Sequence, residues 1–224
     1  MKNELSPKKI LRPIKTELKS KSQLREKMII NSRKINRLSK ESIMLVHRGK
    51  IKKAERLVGT AEKLLKQTLK ILAPTPDLRN SGSLYNASQE YAEASVLLSL
   101  EKNGKYPTPS EIGVSSEAYI LGLADVVGEL RRRTLCAIND EDVEAAERYA
   151  QLMEAIYSEL VNLNEHSFSV LQNLRHKCDV ARRLVELTTG DVILERRRKH
   201  LETSLKRMEG RISGQHSKPR RRSR

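Results

Sequence analysis

Tyr119-Ile120-Leu121-Gly122-Leu123-Ala124-Asp125-Val126-Val127-Gly128-Glu129-Leu130-Arg131-Arg132 reads as the middle of a helix. Ile120, Leu123, Val127, Leu130 and Thr134 recur at intervals of three and four, which lines one face of a helix running from about Glu117 to Ile138. Ser115 or Ser116 can cap its start, and Asn139-Asp140 offer a turn after it. The same period extends both ways along the chain. Downstream, a helix is expected from about Glu141 to Leu163. Another begins near Glu165 and carries Leu171, Leu174 and Val185 to a break or recap at Gly190-Asp191, and a charged stretch then ends near Met208. Upstream, Leu84 to Glu101 forms a helix that stops at Asn103-Gly104, with the prolines at 107 and 109 holding the next connection open. Asn80, Ser81 and Gly82 mark a loop before it. Two earlier helices are expected, from about Gln23 to Val46 and from about Ile51 to Leu72, the first ended by Gly49 and the second by Pro74 and Pro76. The sum is six or seven helices, up and down, with no internal repeat of solenoid length.

Composition agrees. The 224 residues are 38% hydrophobic, enough for one sizeable core, and only 3% aromatic, with no Trp, which favours helices over sheets. The formal charge of +16 is concentrated at the ends: residues 1–25 carry +6 and residues 206–224 carry +7, leaving +3 for the body. Basic arms such as Lys218-Pro219-Arg220-Arg221-Arg222 are expected to be disordered and to seek phosphate, since each phosphate met by Lys or Arg releases a counterion. No stretch approaches the roughly 18 to 20 apolar residues of a membrane span, and no apolar signal-peptide core is present. A cytoplasmic protein with no membrane partner is expected. Cys136 and Cys178 lack a CxxC or Cys/His spacing and read as two buried small hydrophobes.

Four acids carry candidate chemistry. Glu90 and Glu93 stand three apart and Asp125 and Glu129 four apart, so each pair projects from one face of its helix. Two facing helices would gather oxygen ligands suited to Mg²⁺ or Mn²⁺, ions able to orient water and neutralise charge on a phosphodiester. Spacing alone does not separate such a cluster from solvated acids or ion pairs, because 28 acidic residues give many pairs of this kind. Asp125 and Glu129 share their face with Leu121, Arg132 and Cys136, not with an all-polar surface. A di-iron bundle is excluded, since no His stands three residues after a Glu. HExxH, GxxxxGK[ST] and GxSxG are also absent, removing the common zinc-protease, nucleotide-phosphate and hydrolase signatures. Tyr85 and Tyr91 can stack bases, though core packing is the commoner use at helical spacing.

Three blocks in order resemble the translin family, and within it the nuclease-active branch of translin-associated factor X in its archaeal form. They are Arg25 to Arg48, with Ser39-Lys40 and Val46-His47-Arg48; Ser88-Gln89-Glu90-Tyr91-Ala92-Glu93-Ala94, similar to a QEY-x-EA helix; and the run from Tyr119 to Arg132. Leu174-Arg175-His176-Lys177-Cys178-Asp179-Val180 is a weaker echo. The resemblance implies an all-α protomer of the translin type over residues 25–205, between a basic arm at 1–24 and a basic tail at 206–224. It also implies a hollow homo-octamer. The metal-binding acids of the active branch fall on Glu90, Glu93, Asp125 and Glu129, which points to a Mg²⁺- or Mn²⁺-dependent endoribonuclease on single-stranded RNA. A non-catalytic shell binding single-stranded RNA or DNA is the alternative. Arg132 matches a family arginine and can steady a phosphate or pair with an acid on its own helix; Arg33 and Lys34 can line an RNA path or form a solvated face. Thr is replaced by Val127 in the third block, which touches no acid.

Overall fold

The computed structural model describes residues 7–79, 81–163, 171 and 173–216. Among them are six long helices and two single-turn ones, and no strand: α1 (Pro7–His47), α2 (Ile51–Ile71), α3 (Pro76–Arg79), α4 (Gly82–Asn103), α5 (Pro109–Ile112), α6 (Ser116–Asn139), α7 (Val143–Asn162) and α8 (Leu174–His216). Asn80, the segment at Glu165 and the Lys218–Arg222 tail lie outside the described residues. No helix is long and apolar enough to cross a membrane among the residues described.

Two prolines, one read as a helix stop and one as holding a connection open, start helices instead. Pro76 and Pro109 occupy first helical positions, where a missing N–H costs nothing and the fixed φ is already helical. Thr108 and Glu111 complete a reciprocal capping box on α5. Ser115 caps α6 by accepting from the Ala118 N–H at 3.2 Å. Gly104 ends α4 at φ 67°, a left-handed turn that returns its N–H to the Leu100 carbonyl at 3.0 Å.

The layering places α4 and α6 at the centre. α4 packs against α1 and α2 on one side and α6 on the other, and α6 packs in turn against α7 and α8. Tyr91 to Leu98 of α4 are consequently all buried, with no solvated face over two turns. One core cluster joins Val46, Leu97, Val127, Leu130, Met153 and Leu174. A second, around Met28, Ile35, Leu65, Leu84 and Tyr91, holds α1 and α2 to the first half of α4.

Four expectations need revision. α1 starts at Pro7, inside the stretch expected to be a disordered arm; residues 7–20 are exposed, and Lys21 pairs with Asp77 of α3 at 2.7 Å. α8 likewise continues past residue 205 to His216. It also runs through Gly190 without a break. A helical Gly costs about 1 kcal/mol. Here it sits between buried Thr188 and Val192, while Asp191 pairs with Arg131 at 3.5 Å, so packing on the neighbouring helices carries the helix past it. Finally, Cys178 is buried as expected, but Cys136 is exposed because it follows Leu135 on the outer face of α6.

Candidate metal centre between the two central helices

α4 and α6 approach at Gly122. A Cβ there would stand 2.7 Å from the Gln89 carbonyl oxygen, 2.9 Å from Ala92 Cβ and 3.0 Å from the Glu93 nitrogen, so only hydrogen fits. The contact lies beside the acids of both helices. Gly122→Ala is expected to separate α4 from α6, lowering stability by roughly 1–3 kcal/mol and any catalysis that depends on the acids by about 10²-fold. A urea melt and a turnover rate on the same preparation check this; unchanged values in both would show that the spacing is not set here.

Glu93 is the focus of the cluster. It is only 8% exposed, and burial is the main reason its carboxyl is pushed up to about 8. The charges of Asp125, Glu90 and Glu129 add to the rise, and Lys177 opposes it. Both acid-bearing helices therefore act on one carboxyl group. The other three side chains remain partly open, at 26% for Glu90, 31% for Asp125 and 25% for Glu129.

Each of these three has a nitrogen partner. Lys40 of α1 lies 3.3 Å from Glu90. His47, at the end of α1 and with only 5% of its side chain exposed, holds Glu129 through Nε2, while its buried Nδ1 has no partner among the described residues. Lys177 of α8 donates to Asp125 Oδ1, and Gln89 Nε2 donates to Asp125 Oδ2 at 2.6 Å. In this arrangement no three His, Cys, Asp or Glu side chains among the described residues already form a metal cage. The donor set still fits a hard divalent ion: four carboxyl groups, one of them buried and pushed up to about 8 by burial and its acidic neighbours.

The remaining sequence candidates are placed differently. Arg132 is exposed and enters no ion pair or hydrogen bond among the described residues, so of its two readings the salt bridge on its own helix is not formed. Its neighbours are used in packing: Arg131 donates to Thr188 at 2.6 Å, and Arg133 grips Glu101 at 2.9 and 3.0 Å while donating to the Tyr149 hydroxyl at 2.9 Å. Arg33 and Lys34 are exposed on α1. Arg33, Arg37, Lys40 and His47 share a helical stripe by their spacing, so one face of α1 leads a row of basic residues to Glu90 and Glu129. Tyr91 is core, at 1% exposure. Tyr85 lines an open cavity of about 1060 Å³ together with Ser88, Gln89, Ser115 and Leu121; Gln89 joins that cavity to Asp125.

A model of the Translin family matches residues 23–210. The chain belongs to the Translin family. Within the family it resembles translin-associated factor X. It is 35% identical over 195 residues to an uncharacterised protein of Methanocaldococcus jannaschii, covering 86% of this chain and 85% of that one. Among solved structures, AfC3PO superposes with a TM-score of 0.77 at 30% identity, covering 83% of this chain and 96% of that chain. AfC3PO in complex with duplex RNA gives 0.75 at 30% identity, with the same coverage. Apo-NeC3PO, at 24% identity and a TM-score of 0.76, shares the fold. Every residue at the site of this translin-family chain falls in a block that carries the resemblance: Lys40 and His47 in the first, Gln89, Glu90 and Glu93 in the second, Gly122, Asp125 and Glu129 in the third, and Lys177 in the weaker echo. Periodicity and acid spacing alone pass over Lys40, His47, Gln89, Gly122 and Lys177.

Proposed function

We propose that this protein is a divalent-cation-dependent endoribonuclease that cuts single-stranded RNA within a homo-oligomeric shell. The observation that carries the reading is a buried Glu93, held at about 8, with Asp125 and Glu129 acting on it across the α4–α6 contact and Glu90 from its own helix. Such a carboxyl destabilises a metal-free fold, as expected of a site built to receive positive charge. Glu90, Glu93, Asp125 and Glu129 would hold Mg²⁺ or Mn²⁺, which when bound supplies the charge that activates water and stabilises a phosphodiester under attack. The chain's own residues do the rest. His47 fixes the orientation of Glu129, Gln89 fixes that of Asp125, and the stripe from Arg33 through Arg37 to Lys40 offers phosphate contacts leading to the acids.

RNA as the ligand class is supported by the related AfC3PO complex with duplex RNA. The preference for single strands is a proposal from the family resemblance, as is the octamer. A second reading is a non-catalytic oligomer binding single-stranded RNA or DNA. Asp125 favours it, because both its oxygens are engaged by protein nitrogens. Incubating the protein with labelled single-stranded RNA, duplex RNA and single-stranded DNA, in Mg²⁺ or in EDTA, separates the two. Cleavage of the single-stranded RNA that stops in EDTA supports the nuclease; intact strands bound equally in both lanes would replace it with the binding shell.

A further inference from the structure

Lys177 stands on the first turns of α8, where Leu174, Cys178, Ala181 and Val185 face the core and fix the helix against α6. Its side chain is 20% exposed, and its ammonium donates to Asp125 Oδ1. The second Asp125 oxygen accepts from Gln89. Each Asp125 oxygen therefore already carries one protein donor, and an incoming ion must share the carboxylate with both or displace one of them. Gln89 is neutral and competes weakly. Lys177 carries a full charge and is the only cation that touches Asp125 among the described residues. Lys40, by comparison, meets Glu90 from a side chain that is 65% exposed, where water screens the pair.

Resting on the cation-site reading above, we infer that Lys177 is an internal counter-ion that competes with the divalent cation for Asp125 and, once displaced, binds the RNA phosphate. The stem of a displaced lysine stays anchored on α8, and its ammonium remains within a side chain's reach of the acids. A phosphate arriving there brings the anion that Lys177 has lost. The lysine thus links the two events: the protein holds its acids together before the cation comes, and phosphate affinity rises after it.

The role gives an unusual sign. Removing a residue that supports a metal site weakens metal binding, whereas removing a competitor strengthens it. Lys177→Met keeps the stem length without the charge. Free Mn²⁺ is followed by its EPR signal at one pH near neutral for all three proteins. We expect Lys177→Met to bind Mn²⁺ about tenfold more tightly than wild type in the absence of RNA, and to bind single-stranded RNA roughly 10- to 100-fold more weakly with Mn²⁺ present. Lys177→Arg retains the charge and is expected to keep wild-type Mn²⁺ affinity, which guards against a folding defect in the Met variant. Unchanged or weakened Mn²⁺ binding in Lys177→Met, with Lys177→Arg normal, would overturn the inference and leave the cation site standing. A wild-type protein that binds no Mn²⁺ would overturn the site reading itself.

Discussion

Glu93→Gln is expected to raise the thermal midpoint of the cation-free protein, and the gain should widen as pH rises from about 4.5 towards 8. Below 4.5 the carboxyl is protonated in both the folded and the unfolded chain, so the substitution changes little. Between the two values the unfolded chain releases the proton while the fold retains it. The folded state then binds more protons, and stability falls with rising pH. A carboxyl held at about 8 instead of 4.5 withholds on the order of 4 to 5 kcal/mol once the pH exceeds both. A neutral amide of the same shape avoids this cost. For a chain of this size the gain corresponds to roughly 8 to 20 °C. Thermal melts of both proteins in EDTA across this range check it; a pH-independent difference, or a loss of stability, would show that Glu93 is not the strained acid of the cluster. The same variant should bind Mn²⁺ poorly, so the stability gained is matched by function lost.

Asp125→Asn carries the other large effect. The side chain keeps its size and can still accept from Gln89, but it loses the charge that faces Lys177 and any bound cation. RNA cleavage is expected to fall by at least about 10³-fold, the equivalent of roughly 4 kcal/mol of transition-state stabilisation. RNA affinity should not fall, because phosphate contacts on the α1 stripe are untouched and Lys177 loses the charge that holds it away from phosphate. Single-turnover cleavage and fluorescence anisotropy on one preparation report both. Loss of cleavage and affinity together would place Asp125 in RNA binding or folding; retained cleavage would remove it from the site.

The central helices were legible because their apolar period is strong and the acids sit at intervals of three and four, which puts each pair on one face wherever the helix packs. The burial of Glu93 was less so. α4 is enclosed on all sides from Tyr91 to Leu98, and an acid within such a stretch has no amphipathic pattern to mark it as inward. The partners of the acids were hidden for a different reason. His47 and Glu129 are 82 residues apart in sequence, and Lys177 and Asp125 are 52 apart, so helix packing alone brings them together. Gly122 reads as a weak point in a helix until a second helix is laid across it. The ends of α1 and α8 were misjudged because an exposed helical extension has no core-facing residues to distinguish it from a charged tail. Pro76 reads only as a stop and Pro109 only as part of an open connection, although the first turn of a helix is where proline costs least.

The claim that four carboxylates form a cation site is tested most directly by titrating Mn²⁺ into the RNA-free protein by calorimetry in two buffers of different ionisation enthalpy. Near neutral pH, binding should release a proton, because Glu93 must ionise to serve as a ligand. Both the binding and the proton should vanish in Asp125→Asn combined with Glu93→Gln. Absence of Mn²⁺ binding, or binding that survives the double substitution, would contradict the account.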